Sequence, residues 1–269
     1  MLRTFVASAA LLAGALPARA QNSYASAPDT LRFRETTRMN MTLTMPQGEI
    51  PMSMEQSAKL SLVRLPGDSA RAWFDSLAIS GKTPQGDIKP ATDSALNRMF
   101  KLGLDARGRV KNVSAPQWPA SLMGVTDLSH QFDDFFLRLP TQPLKVGLAW
   151  SDTTALTDST ADRYSRWIRS SDYSVLRDTT VDATPALVIG MKQKLGVTIS
   201  APIPGQQMRS DAQLTGEEEG YFVFAPKTGR LLGRRRKGKL EGPVKASGAM
   251  GEMQMTQSMT YTSEMDAVK

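Results

Sequence analysis

Methionine is concentrated in one short stretch of the chain, where its sulfur could bind a metal ion. Residues 39–54 have the sequence MNMTLTMPQGEIPMSM, with five methionines in sixteen positions. Thioether sulfur is a soft ligand that selects Cu(I), so two neighbouring Met-x-Met segments could form a copper site. The competing hypothesis is that these methionines are the adaptable apolar side chains along one face of a β-strand.

The spacing of these methionines favours the apolar face. Met39, Met41 and Leu43 alternate with polar residues, which is the period-2 pattern of a half-buried strand, and a leucine cannot bind metal. A hairpin with an even loop of two or four residues, pairing 43 with 52 and 41 with 54, unites both methionine sets on one face. A similar alternation recurs near the C-terminal end of the sequence. We therefore predict an apolar ligand-binding face without metal or cofactor, formed by Met39, Met41, Leu43, Met52, Met54, Met253, Met255 and Met259.

A serine hydrolase is the second chemistry that short segments of this sequence suggest. The segments GDSA (67–70) and DLSH (127–130) resemble sequence blocks of the GDS(L)-type hydrolases. The resemblance would make Ser69 the nucleophile, His130 the base and Asp127 its orienting carboxylate. That family has an α/β fold with its Asp-x-x-His block near the C-terminus, whereas this block lies mid-chain, and Pro-Gly-Asp-Ser is also good turn chemistry. We therefore predict a non-enzymatic protein with no catalytic residues.

The excess positive charge of the chain, +7 in total, is concentrated in the segment GRLLGRRRKGK at 229–239. On a strand, Arg234 and Arg236 face one way and Arg235 the other. One hypothesis is that Arg234, Arg235 and Arg236 bind an anionic headgroup or an anionic envelope surface. The alternative is a solvated edge strand that its charges protect from unwanted pairing.

The first twenty residues predict export. Arg3 precedes a mostly apolar run from Phe5 to Leu16, and Ala18 and Ala20 form a small-residue cleavage signal. The run is too short to span a membrane, and no later stretch predicts a transmembrane segment in the mature chain. We expect a periplasmic or extracellular protein that does not bind nucleic acid. With no cysteine in the sequence, disulfides, thiolate metal sites and a cysteine nucleophile are excluded.

The rest of the chain predicts a mainly β fold. After the signal peptide (1–20) and a linker (21–30), residues 31–265 show strand alternation separated by turns, and form one β-rich domain. Only the segment 120–139 has apolar residues at helical spacing, so we predict one amphipathic helix there, with Phe132 and Phe136 facing the ligand. The predicted fold is a curved antiparallel sheet, a half-barrel-like meander, with that helix packed on it.

Two further segments carry a family resemblance. LPTQPLKVGLAWSDT (139–153) and GYFVFAPKTGRLLG (220–233) resemble exported bacterial β-rich proteins of unknown function, which combine an LP-x-x-P-hydrophobic-x-x-G-x-x-W stretch with a late hairpin. The matching residues are Leu139, Pro140, Pro143, Gly147 and Trp150. The predicted shape is also similar, at the level of fold, to LolA-like lipoprotein-carrier half-barrels. We expect an envelope protein that binds an apolar ligand such as a lipid; the alternatives are a structural or assembly module with a closed core, and a Cu(I)-binding protein.

Overall fold

The computed structural model describes residues 23–24, 30–65, 67–118, 122, 128–160, 162–203, 207–248 and 251–268. The predicted signal peptide therefore lies outside the described residues. So does most of the predicted linker, in which Tyr24 is buried and donates its hydroxyl to the Leu137 carbonyl at 2.9 Å. Among the described residues, no helix is long and apolar enough to cross a membrane.

Twelve strands make up nearly all of the described secondary structure. They are β1 (Leu31–Met45), β2 (Gly48–Leu65), β3 (Ser69–Thr83), β4 (Gly86–Ile88), β5 (Phe100–Leu104), β6 (Val110–Ser114), β7 (Ala149–Ser159), β8 (Tyr164–Val181), β9 (Thr184–Pro202), β10 (Met208–Ala225), β11 (Arg230–Gly248) and β12 (Gly251–Val268). Two single-turn 3₁₀ helices cover Asp93–Ala95 and Leu128–His130. The prediction of a mainly β protein is confirmed.

The strands form one antiparallel sheet in the order β6-β5-β3-β2-β1-β12-β11-β10-β9-β8-β7, with the short β4 paired to β3. The sheet curls so strongly that its two ends meet. Arg109, just before β6, contacts Asp152 of β7 through an Nη2–Oδ1 distance of 2.5 Å. The predicted half-barrel is therefore confirmed, and its concave side, which carries Phe33 and Phe222, is called the inner face below.

The β1–β2 hairpin tests the predicted register. Met45 pairs with Gly48 across a two-residue turn, so the even loop is confirmed. The pairs are Leu43 with Ile50 and Met41 with Met52, each displaced by two residues from the predicted ones. A two-residue displacement leaves every side chain on its predicted face, because the side-chain period of a strand is also two.

Inner-face glycines allow β10 and β11 to approach each other closely. A Cβ atom on Gly216 would lie 1.9 Å from the Lys239 carbonyl oxygen, and one on Gly242 would lie 2.1 Å from that of Gln213. Real Cβ atoms are not found at such distances from backbone oxygen, so only glycine permits this approach of the two strands. Glycines at inward positions of the sequence thus permit the curvature of the sheet.

Replacing either glycine with alanine should destabilise the fold. We expect Gly216→Ala and Gly242→Ala to lower the free energy of unfolding by roughly 1–3 kcal/mol each, because the new methyl group displaces backbone. The control is Gly196→Ala in β9, whose Cβ would find Ile168 at an ordinary 3.9 Å. Urea titration should show this control within about 0.5 kcal/mol of the wild type. Equal losses in all three variants would contradict the steric explanation.

The helix predicted over 120–139 is wrong for the part that the structure describes. Beyond Leu122, description resumes at Leu128, and the 3₁₀ turn there is followed by turns and irregular chain. Every residue from 132 to 140 is buried, polar ones included. The physical reason is that this segment fills the inside of the curled sheet, so it has no solvent-facing side and needs no amphipathic helix. Residues 128–140 are called the inner segment below.

The edge-strand interpretation of the arginine run is also wrong. β11 lies between β10 and β12 near the centre of the sheet and pairs with both along most of its length. Its arginines therefore do not lie on an edge strand, and they cannot serve to prevent unwanted pairing there. They point alternately into the half-barrel and away from it, which is the alternation that a strand imposes.

Candidate functional site: the inner face

The inner face has three zones along the strands. At one end, the inner segment packs into the main apolar core, where Phe132, Phe135 and Leu137 are fully buried. Phe135 meets Phe33 of β1 edge to face, with ring centroids 5.3 Å apart. This end of the half-barrel is therefore filled.

Charged side chains form the second zone, above the filled core. These residues, called the charged belt, are buried or nearly so, and come from strands and from the inner segment. The belt consists of Glu35, Asp134, Arg138, Arg169, Glu218, Arg234 and Arg236. Buried charges are costly unless they are paired, and the belt pairs nearly all of its members with one another.

Asp134 of the inner segment is the centre of the belt. Its carboxylate accepts hydrogen bonds from Arg236 at 3.0 Å and Arg138 at 3.1 Å, and the Arg169 guanidinium lies 4.0 Å away. Burial alone would raise the pKa of this carboxyl, but the surrounding guanidinium groups outweigh it and hold the pKa well below its ordinary value. Asp134 is therefore an anion at neutral pH, and it anchors the inner segment to β8 and β11.

Arg234 binds the backbone of the inner segment. It is 1% exposed and reaches the Glu35 carboxylate at 2.5 Å. The same guanidinium donates to the carbonyls of Asp134 and Phe135, both at 3.1 Å. Glu35 also accepts from the Ser263 hydroxyl at 2.9 Å. One arginine thereby satisfies backbone oxygens that would otherwise be buried without a donor.

Tyr261 marks the boundary between the belt and the third zone. Its hydroxyl donates to Glu218, and its ring covers Gly238 on the neighbouring strand, where a Cβ would come within 2.6 Å of the ring. Burial and the Glu218 charge raise the pKa of this phenol far above its ordinary value. The tyrosine is thus a neutral donor at every physiological pH, with its apolar ring next to the methionines.

The third zone is the predicted methionine surface, which the structure brings together on the inner face. One row runs across neighbouring strands from Met52 to Met41 and Met259, and continues to Leu240 of β11. All the predicted positions share this face. It is called the Met-rich face below, and consists of Met39, Met41, Leu43, Met52, Met54, Met253, Met255 and Met259.

The Met-rich face is open rather than packed shut. Its side chains are half-buried, except that Met253 is 38% exposed. It continues into a second apolar cluster, separate from the main core, against which Met255, Met259 and Tyr261 pack. The buried members of that cluster are Leu195, Val197, Ala212, Leu214, Leu240 and Val244. An apolar surface this long, over a charged belt, is suited to a molecule with one apolar and one polar end.

The remaining predicted site residues lie elsewhere. Phe132 and Phe136 are buried in the main core, against which Met54 of the Met-rich face packs. Arg234 and Arg236 point inward, whereas Arg235 is on the outer face, bonded to Asp266 at 2.8 Å. The predicted headgroup trio is therefore divided between the two faces.

The serine hydrolase residues of the alternative hypothesis can be placed only in part, since Asp127 lies outside the described residues. Ser69 begins β3, at a turn. The His130 ring instead contacts Asp133 through Nδ1 at 2.7 Å, and its Nε2 lies 3.4 Å from the Ser165 hydroxyl. Ser165 is only 1% exposed, so a substrate carbonyl could not reach this hydroxyl without rearrangement.

The outer face of the sheet also carries a hollow, with a volume of about 1060 Å³. Its lining includes Lys237 and Glu219, which pair with each other at 2.9 Å. Because neighbouring charges there already neutralise one another, the hollow offers no concentrated charge to a ligand. Among the described residues, no group of three or more histidine, cysteine, aspartate or glutamate side chains could hold a metal ion.

Sequence reasoning missed the charged belt, although one signal for it was present. Glu35 lies at an inward position of β1, in phase with Phe33 and Met39. A charge in phase with apolar residues on a half-buried strand indicates a buried partner of opposite sign. That partner, Arg234, comes from the run that was interpreted as a solvated edge.

The fold and this site define a class: a curled antiparallel half-barrel whose inner face joins a filled end, a charged belt and an open apolar surface. No protein-family model matches the chain, and no curated protein is similar to it in sequence. Among solved structures, Neisserial surface protein A (NspA) is similar at 7% identity and a TM-score of 0.24, covering 87% of this chain and 96% of that one. Pseudomonas aeruginosa OccK2 (OpdF) in complex with glucuronate is similar at 8% identity and 0.20, with coverage of 93% and 100%. The outer membrane protein OpdK of the same organism is similar at 7% and 0.17, with coverage of 89% and 99%. These scores and identities are too low to establish a shared fold or function.

Proposed function

We propose that this chain is a non-enzymatic exported envelope protein that binds an apolar ligand, such as a lipid acyl chain, on the Met-rich face. The observation that carries the proposal is the apolar row of Met52, Met41 and Met259, which is half-exposed on a concave surface and continues to the buried Leu240. Methionine side chains are flexible and polarisable, so such a surface can adapt to acyl chains of different lengths.

The charged belt supplies the polar end of such a site. Arg236 is the belt cation of β11 that lies nearest to the Met-rich face, and its Nε atom has no hydrogen-bond partner among the described residues. Both arginines are already paired, Arg236 with Asp134 and Glu218 and Arg234 with Glu35, but an anionic headgroup on the Met-rich face would meet the Arg236 guanidinium first because Arg234 lies deeper. Of the predicted headgroup residues, we therefore retain Arg236 as the contact for the ligand.

Mass spectrometry of the native purified protein, together with displacement of a fluorescent dye by fatty acids, tests the proposal. We expect Met41→Asp to weaken binding at least tenfold, because a carboxylate beneath an acyl chain costs several kcal/mol and each 1.4 kcal/mol corresponds to about tenfold. Thr44→Asp is the control, since Thr44 is exposed on the opposite face of the same strand. If the wild type carries no lipid and no fatty acid displaces the dye, the proposed function fails.

A Cu(I) site is the second candidate, favoured by one specific observation. Met41 pairs directly with Met52 on one side and Met259 on the other, so three thioethers lie next to one another across three strands. The variant Met41→Leu separates the two candidates, because it keeps the apolar surface and removes one sulfur. Stabilisation of the wild type by one equivalent of Ag⁺, lost in Met41→Leu while lipid binding persists, would favour the metal.

A further inference from the structure

The two end strands of the sheet face each other across a gap. Among the described strands, β6 pairs only with β5, and β7 only with β8. The Arg109–Asp152 ion pair holds the two ends together at one point. Beyond it, a cavity of about 520 Å³, called the seam below, opens between the two strands. Its lining residues on the two sides are Lys111, Val113, Ser114, Ala115 and Pro116, and Ala155, Leu156, Thr157 and Asp158.

The number of strands fixes how the seam can be filled. Every neighbouring pair in the sheet is antiparallel, and the path from β6 to β7 contains eleven strands. With an odd number of antiparallel strands, the first and the last run in the same direction. One additional strand, placed between them, would therefore be antiparallel to both and would complete the alternation around the whole sheet.

The size of the seam is that of one short strand. The six residues 111–116 on one side span five steps of 3.3 Å in an extended strand, or roughly 17 Å. A strand segment of that length, about 5 Å wide and roughly 6–10 Å deep, occupies about 500–850 Å³. The cavity of about 520 Å³ matches the lower end of this range.

The floor of the seam indicates what such a strand would carry. Ser129, His130 and Asp133 of the inner segment lie at its base, with His130 and Asp133 in contact at 2.7 Å. The walls present the apolar side chains of Val113 and Leu156. A strand with a hydroxyl, amide or basic side chain opposite the Asp133 carboxylate, between small or apolar ones, fits this combination.

We propose that the seam receives an extended segment of a partner protein, inserted antiparallel to both β6 and β7. Unpaired strand edges are templates for added strands, and main-chain hydrogen bonds supply most of the affinity in such complexes. In the seam, the free edges of β6 and β7 would both pair with the inserted segment, so both backbone edges of that segment would be hydrogen-bonded. This inference is independent of the ligand proposed for the Met-rich face.

A peptide with modified backbone edges tests the proposal. The probe is a fluorescein-labelled nine-residue peptide of alternating threonine and valine, titrated into the full chain and followed by fluorescence anisotropy. Successive N–H groups of an extended strand point to opposite edges, so N-methylation at odd or at even positions blocks one edge at a time. We expect each methylated peptide to bind at least tenfold more weakly than the unmodified one. Hydrogen exchange should slow in β6 and β7 together when the unmodified peptide binds.

Three outcomes would overturn the proposal. The first is no binding of the unmodified peptide at about 1 mM, the weakest range in which such an interaction is meaningful. The second is loss of binding for only one of the two methylated peptides, which indicates pairing with a single edge. In the third, the free-edge amides of β6 and β7 are already protected in the isolated protein, so a segment of the same chain or a second copy fills the seam.

Discussion

Asp134→Asn should lower the free energy of unfolding by about 3–5 kcal/mol, the cost of removing one partner from a buried ionic group. The substitution preserves shape but leaves the guanidinium groups of Arg138, Arg169 and Arg236 without their shared anion. Because domains are typically stable by only 5–15 kcal/mol in total, this single atom exchange removes a large part of the stability. Urea unfolding at neutral pH measures the loss.

The pH dependence of the same variant identifies the charge as the cause. The folded-state pKa of Asp134 is depressed, so its contribution is complete above the ordinary carboxyl pKa of about 4 and is lost as the pH falls below that value. The difference in unfolding free energy between wild type and Asp134→Asn should therefore shrink on acidification below about pH 4.

The control for Asp134→Asn is Asp178→Asn, at an exposed position of β8, which should change stability by less than about 0.5 kcal/mol. A similar loss in both variants, or a difference from wild type that does not depend on pH, would contradict the assigned role of the Asp134 charge.

Arg234→Met should cost a similar amount, about 3–5 kcal/mol, because it leaves the Glu35 carboxylate buried without its cation. It also removes the donor of the Asp134 and Phe135 carbonyls. The double variant Glu35→Gln with Arg234→Met should lose much less than the sum of the two single variants, because neither charge is then left alone. A double-mutant cycle by urea unfolding measures this coupling.

The exposed pair of Arg38 and Glu55, 3.1 Å apart, is the matched control for this cycle. Arg38→Met should change stability by no more than about 1 kcal/mol, because both partners are largely exposed and solvent screens them. Additive losses for Glu35 and Arg234 would show that the belt is a set of independent side chains rather than a coupled unit.

The Met-rich face could be predicted from the sequence, because period-2 alternation assigns side chains to faces and any even loop between the two strands keeps both methionine sets on the same face. The register could not be fixed, since loops of two and four residues preserve the same alternation and differ only by a displacement along the strand. In the structure the loop has two residues, and Met45 pairs with Gly48. The class of fold was likewise accessible from strand patterns and turns alone.

The inner segment could not be predicted, and the reason is physical. Its apolar residues have helical spacing, but Asp134 and Arg138, which would form the polar side of that helix, are buried and paired with each other. Their partners come from strands distant in sequence, which periodicity does not reveal. The same non-local pairing explains why the arginine run was interpreted as a protected edge.

The position of β1 has a consequence for how fast the protein folds. β1 lies between β2 and β12, so the central pairing of the sheet joins both ends of the domain. The Glu35 carboxylate binds Arg234 and Ser263 across separations of 199 and 228 residues. Folding rates fall as contacting residues become more distant in sequence, so this topology predicts slow folding that cannot finish before the last strand is available. The complete sheet therefore forms only after β12 has been synthesised, because until then β1 and β11 each lack one of their two neighbours.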